Sequence, residues 1–180
     1  MEKRLRIIVC GVGFGQFYIR AIDKIKCKYK LVGILSRGSE WSKQWTKKYG
    51  VILYTDIDEI TKENVDVVCV VIKSTVVNGE GSTIVHSLLE KGINVIQEHP
   101  IDIDDYIMCI KIAQKNCCMY RLNTFYPQLS NVKQFIFLAG KLREKNDVQY
   151  INAECSVHVL FPLIDILGRA IGGLRPWKFE

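Results

Sequence analysis

The sequence predicts an α/β protein built on a doubly wound parallel sheet, and three observations carry that prediction. Short apolar runs alternate with amphipathic stretches of helical length, in the order β-α-β-α-β-α-β-α-β. One run, Val65-Asp66-Val67-Val68-Cys69-Val70-Val71-Ile72, is almost continuously apolar, as a central parallel strand covered on both faces must be. A glycine-rich turn, Gly11-Val12-Gly13-Phe14-Gly15-Gln16, joins the first strand to the first helix.

Each element has its own signal. Arg6 to Cys10 is the first strand, and Gln16 to Lys26 the helix that follows it. Lys30 to Leu35 forms the second strand. Ser39 caps a helix that runs to Tyr49, where Gly50 stops it. Val51 to Tyr54 is a short strand and Ile57 to Ile60 a helical turn. After the apolar run, Ser82 to Lys91 is helical and ends at Gly92; Asn94 to Gln97 is the next strand. Asp102 to Asn116 is a helix and Met119 to Asn123 the sixth strand. A first domain therefore spans 1–125, and 126–180 begins a second. There, Asn131 to Arg143 reads as a helix, Gln149 to Leu160 alternates like a strand, and Pro162 to Ala170 forms a short helix closed by Gly172-Gly173. A lone strand leaves both edges unpaired, so residues 126–180 are expected to be the beginning of an α+β domain whose sheet is missing.

The glycine turn has a chemical meaning. A strand that opens through glycines into a helix lets backbone N–H groups approach a pyrophosphate, and the helix N-terminus adds partial positive charge. This identifies a Rossmann-type dinucleotide site with Gly11, Gly13, Phe14 and Gly15 at the phosphates. Gln16 stands where the usual fingerprint has a third small residue, so helix and strand are expected to pack less closely here. The second strand ends in Ser36-Arg37, at the position that meets the adenosine ribose. An acid there accepts from the 2′-hydroxyl of NAD, whereas Arg37 beside Ser36 pairs with a 2′-phosphate. Glu40 comes three residues later, so no acid is expected to compete, and NADP(H) is the preferred coenzyme.

Ligands of an open parallel sheet collect outside the carboxyl ends of its strands. Lys73-Ser74-Thr75, Glu98-His99-Pro100 and Asn123-Thr124-Phe125-Tyr126-Pro127 all arrive there. Ser74, Thr75 and Glu98 are read as cofactor contacts. His99 is either a proton donor near neutrality or a loop histidine that orients the cofactor. Tyr126 is either a positioned O–H donor or an aromatic packing under the nicotinamide. Pro100 and Pro127 stiffen these turns, through cis bonds or otherwise. Trp41 and Trp45, four apart, share a helix face and are read as core packing, with adenine stacking the lesser alternative.

Composition bounds the rest. The 180 residues, 48% hydrophobic and 24% charged, describe an ordinary globular chain. Without a membrane-length apolar run or a signal-like N-terminus, the expected location is the cytoplasm. Seven cysteines are scattered with no Cys-x-x-Cys pair, so all are expected to be reduced and no metal site is expected. The net charge of +6 is spread along the chain with no nucleic-acid motif, and reads as a solvated surface that can also attract an anionic substrate.

Taken together, the glycine loop, Ser74-Thr75, Val95-Ile96-Gln97-Glu98-His99-Pro100 and Asn123-Thr124-Phe125-Tyr126-Pro127 resemble the thiazolinyl imine reductases of siderophore biosynthesis. That group lies in the glucose-fructose oxidoreductase and inositol dehydrogenase superfamily. In the superfamily strand five typically ends in Glu-Lys-Pro, its lysine catalytic in the sugar dehydrogenases; here Glu98-His99-Pro100 replaces it. The resemblance implies NADPH-dependent reduction of a thiazoline to a thiazolidine. The substrate would be a pyochelin- or yersiniabactin-like intermediate held on a carrier domain of a nonribosomal peptide synthetase. It makes Tyr126 the candidate general acid and His99 a second donor or substrate-positioning group, and it implies a homodimer. Relatives of this kind are roughly twice as long, so the chain is expected to be truncated, a fragment, or one half of an enzyme whose C-terminal half is encoded separately. Two alternatives follow: a half-enzyme that binds NADP without turnover, and a sugar or polyol dehydrogenase.

Overall fold

A computed structural model describes residues 3–72 and 79–175 of the chain. They form two compact units that meet in sequence between Asn123 and Thr124. The first unit is a six-stranded, wholly parallel sheet: β1 (Leu5–Cys10), β2 (Tyr29–Leu35), β3 (Ile52–Tyr54), β4 (Val67–Val70), β5 (Asn94–Glu98) and β6 (Tyr120–Asn123). Its order is β3-β2-β1-β4-β5-β6, with α1 (Gly15–Lys24), α2 (Glu40–Tyr49), α3 (Glu80–Glu90) and α4 (Ile103–Lys115) in the crossovers. The order reverses direction between β1 and β4, which creates the switch point where such sheets bind ligands.

β1 shows how the sequence builds both faces. Its side chains alternate, so Ile8 and Cys10 enter one core while Ile7 and Val9 enter the other. The first core continues through Val68, Val70, Val85, Leu88, Leu89 and Cys109, the second through Ile19, Ile22, Ile34, Trp45 and Cys69. The apolar run around β4 is buried because its residues serve both cores. Backbone bonds from Asp66 N to Arg6 O (3.0 Å) and from Val71 N to Cys10 O (2.9 Å) extend its pairing with β1 beyond the strand itself.

The helix signals act as the sequence implies. Ser39 Oγ accepts from Ser42 N at 3.3 Å, and Gly50 closes α2 at φ +63°. Asp102 caps α4 by accepting from Asp104 N at 2.9 Å. Of the two tryptophans expected in the core, Trp45 is buried and stacked at 5.6 Å on Tyr49, but Trp41 is 52% exposed and does not join the core. At the amino end of the sheet the Arg6 guanidinium grips Asp66 at 2.8 Å and ties β1 to the start of β4. That hydrogen-bonded cation holds the Asp66 carboxyl down at about 2. All seven cysteines are free.

The second unit departs from expectation. α5 (Ser130–Arg143) and α6 (Leu160–Ile171) form and pack on each other, but the strand expected over 149–160 does not. Residues 147–156 have no regular structure, and a 3₁₀ turn at Val157–Val159, carrying exposed His158, leads into α6. The reason is the one that made a lone strand suspect: among the described residues no strand of the second unit offers it an edge, so its N–H and C=O groups have no ladder to join and its alternating side chains no sheet to face. Tyr150 and Val157, both about three-quarters exposed, bear this out.

Candidate functional site

Three structures converge at the carboxyl ends of the strands in the first unit. The first is the glycine turn. Gly11 sits at φ +89° and donates to Leu35 O at 2.9 Å; a Cβ there would lie 2.9 Å from Ile72 Cγ1. Only glycine makes that turn without strain. Gly13 is the opposite case. It is exposed, and a Cβ would meet nothing within 4 Å, so its backbone is open to a ligand. Phe14, also exposed, precedes α1, whose N-terminus has no side-chain cap and no acid in its first turn. An uncapped, acid-free helix start beside an open glycine fits an anionic group such as a pyrophosphate. Gln16 does not loosen the packing of helix on strand, contrary to the sequence expectation. Gly15, one residue earlier, is buried against β1, and a Cβ on it would come within 3.0 Å of Val9 Cγ1. The Gln16 side chain instead turns back to donate to Gly13 O at 3.0 Å.

Next to the turn lies a cleft of about 400 Å³, lined in part by Cys10, Ser36, Arg37, Thr55, Asp56 and Glu80. Ser36 opens it: its N–H donates to Tyr54 O at 3.0 Å and its hydroxyl accepts from Gly38 N at 3.2 Å. Arg37 stands at the mouth with its side chain 83% exposed. The expectation that no acid competes for Arg37 fails. Glu80, the first residue of α3, forms an ion pair with its guanidinium. The two positions are 43 residues apart, and the crossover of the sheet brings them together.

Where β5 and β6 end, a buried carboxylate organises the third structure. Glu98 is 9% exposed, and its Oε2 accepts from the Tyr18 hydroxyl of α1 and from Asn123 Nδ2 at 3.1 Å. Asn123 also donates to the Tyr18 hydroxyl. Burial first, then the hydrogen bond to Glu98, pushes the Tyr18 phenol far above its ordinary range, so it stays a donor. His99 follows, with its imidazole Nε2 3.3 Å from Glu98 Oε1 and its backbone N–H donating to Asn123 O at 3.2 Å. The His99–Pro100 bond is cis. Glu98, His99, Tyr18 and Asn123 are thus one cluster from three elements.

Of the other residues marked in the sequence, Ser74 and Thr75 lie outside the described residues. Tyr126 opens a 3₁₀ turn in the second unit, 38% exposed, with its ring at 5.7 Å from that of Phe125. Sequence reasoning passed over Tyr18 and Glu80. Each carried a faint signal: Tyr18 is three residues into the helix that leaves the glycine turn, and Glu80 heads the helix that follows the central strand.

The family model for oxidoreductases of the GFO/IDH/MocA type, an NAD-binding Rossmann fold, matches residues 5–124. The chain belongs to this family. Similar solved structures agree on the fold. GenD2 from gentamicin A biosynthesis, solved in complex with NAD, is 18% identical with a TM-score of 0.72, over 82% of this chain and 42% of that one. The WlbA dehydrogenase from Bordetella pertussis, solved with NADH and UDP-GlcNAcA, is 16% identical with a TM-score of 0.67, over 79% and 41%. Scyllo-inositol dehydrogenase from Lactobacillus casei is 19% identical with a TM-score of 0.68, over 81% and 44%. The matched part of the chain covers less than half the length of each of these relatives. None of the curated proteins matches it. The GFO/IDH/MocA chain is therefore an oxidoreductase-family protein carrying a nicotinamide dinucleotide-binding domain. Among its described residues, no helix is long and apolar enough to cross a membrane.

Proposed function

We propose that this GFO/IDH/MocA chain serves an NADPH-dependent reductase of a C=N bond, the thiazoline ring of a carrier-bound siderophore intermediate. The observation that carries the reading is Glu98-His99-Pro100 at the end of β5: a buried carboxylate fixes an imidazole where sugar dehydrogenases of the superfamily have lysine. Bound NADPH supplies the hydride that the ring carbon accepts. The chain's own groups do the rest. Gly11, Gly13, Phe14 and Gly15 hold the pyrophosphate, and Arg37 with Ser36 takes the 2′-phosphate. Tyr126 delivers the proton to the ring nitrogen from its hydroxyl, while His99, held by Glu98, positions the substrate or acts as the second donor. Reduction adds one hydride at carbon and one proton at nitrogen, and these balance the conversion to thiazolidine. The partners in this reading are a carrier domain of a nonribosomal peptide synthetase and a second subunit; where the C-terminal half is a separate chain, it completes the enzyme.

The test is a reductase assay with NADPH and a carrier-bound thiazoline. Loss of NADPH absorbance, abolished in a His99→Ala, Tyr126→Phe double variant, is the expected result; parental turnover by that variant removes the assigned roles. A second reading, a sugar or polyol dehydrogenase, draws support from the inositol dehydrogenase and WlbA folds. Turnover of an inositol or a nucleotide sugar with NAD⁺ or NADP⁺, and none of the thiazoline, selects it. Coenzyme binding with no turnover of either substrate class selects a binding half-enzyme.

A further inference from the structure

We propose that Glu80 is a second determinant of coenzyme choice, acting against Arg37: it weakens binding of a 2′-phosphate and tolerates a 2′-hydroxyl. The inference rests on the reading of Arg37 as the ribose contact. Glu80 lines the same 400 Å³ cleft and already holds the guanidinium. A 2′-phosphate arriving there carries close to two negative charges. It must take Arg37 away from Glu80 and then sit beside the released carboxylate. A 2′-hydroxyl carries no charge and can donate to that carboxylate.

The exchange is feasible because the ion pair is weak. The Arg37 and Glu80 side chains are 83% and 59% exposed, and pairs so hydrated contribute little. Asp56, the other acid on this cleft, is committed elsewhere: its Oδ1 accepts from Asp58 N at 2.9 Å and caps a 3₁₀ turn. Among the described residues, Glu80 is thus the acid of this cleft that contacts Arg37 itself. Ser36 and Thr55 contribute hydroxyls that do not distinguish the two coenzymes by charge.

Calorimetric titration of the parent, Glu80→Gln and Arg37→Ala with NADPH and NADH tests this at low and high salt. Glu80→Gln should tighten NADPH roughly three- to tenfold without tightening NADH, and the gain should shrink between about 0.05 M and about 0.5 M salt as the charges are screened. Arg37→Ala should weaken NADPH. If Arg37→Ala weakens NADPH but Glu80→Gln leaves the NADPH-to-NADH ratio unchanged, Glu80 has no role and the coenzyme reading survives. Should Arg37→Ala leave NADPH affinity intact, the ribose contact is misassigned and both fall. Equal tightening of the two coenzymes by Glu80→Gln also overturns the proposal.

Discussion

Glu80 and Glu98 are both acids at the carboxyl edge of the same sheet, yet the fold treats them in opposite ways. Glu98 is buried and accepts hydrogen bonds from a tyrosine and an asparagine on two other elements. Glu80 is exposed and pairs with an arginine that is more exposed still. A desolvated carboxylate must be satisfied from all sides, so it locks its neighbours into one arrangement. A hydrated one exchanges partners at little cost. The lesson is a division of labour: the buried acid sets the geometry of the cluster with His99, and the exposed pair is free to tune which ligand enters.

Breaking the buried member should do the most damage. Glu98→Ala strips Tyr18 and Asn123 of their shared acceptor and should cost about 2–3 kcal/mol of stability, read as a lower urea midpoint. A midpoint equal to the parent's would mean that the Glu98 cluster does not hold its neighbours in place. Tyr18→Phe removes one donor and should cost about 1–2 kcal/mol. Between the extremes sits Gly15→Val, which drives a branched side chain into Val9 and should cost about 1–3 kcal/mol. Gly13→Ala has open space and should leave the midpoint unchanged while weakening coenzyme binding.

The amino end of the sheet sharpens the contrast through pH. Asp66 has a carboxyl lowered to about 2 from an ordinary 3.8. A depressed carboxyl contributes stability that is present above the unfolded value and lost as pH falls through the folded one. Stability should therefore decline between about pH 4 and pH 2, by about 1 kcal/mol once solvent screening is allowed for. Asp66→Asn should remove that share at neutral pH and flatten the acid limb of a denaturation series. Arg37→Ala, like Gly13→Ala, should leave the urea midpoint where it is while changing NADPH affinity. A clear loss of stability would make the Arg37–Glu80 pair structural after all.

What the sequence made legible was local or periodic. The β4 run, the Ser39 cap and the Gly50 stop depend on neighbours within a few residues, and the doubly wound order follows from alternating elements. Glu80 carried only the faint signal of heading a helix, because its partner is 43 positions away and only the crossover unites them. Tyr18 was hidden in a helix whose inward face reads as ordinary packing, since nothing in its neighbours announces a carboxylate arriving from β5. Gly15 shows a subtler failure: counting from the usual fingerprint pointed to Gln16, but the close contact depends on where α1 begins. In residues 147–156 alternation persisted with no sheet to receive it, so pattern alone overstated structure.

Cys10 and Cys69 sit on adjoining strands but point into different cores, Cys10 among the α3 and α4 side chains and Cys69 among those of α1 and α2. Both thiols are pushed up to about 12 by burial, so a soluble alkylating reagent finds no thiolate there while the sheet is closed. The exposed Cys27, Cys117 and Cys155 react at once and mark time zero. Pulse labelling followed by peptide mapping would then reveal whether the two helical layers peel away together or one ahead of the other, a pair of stopwatches wired into opposite sides of one sheet.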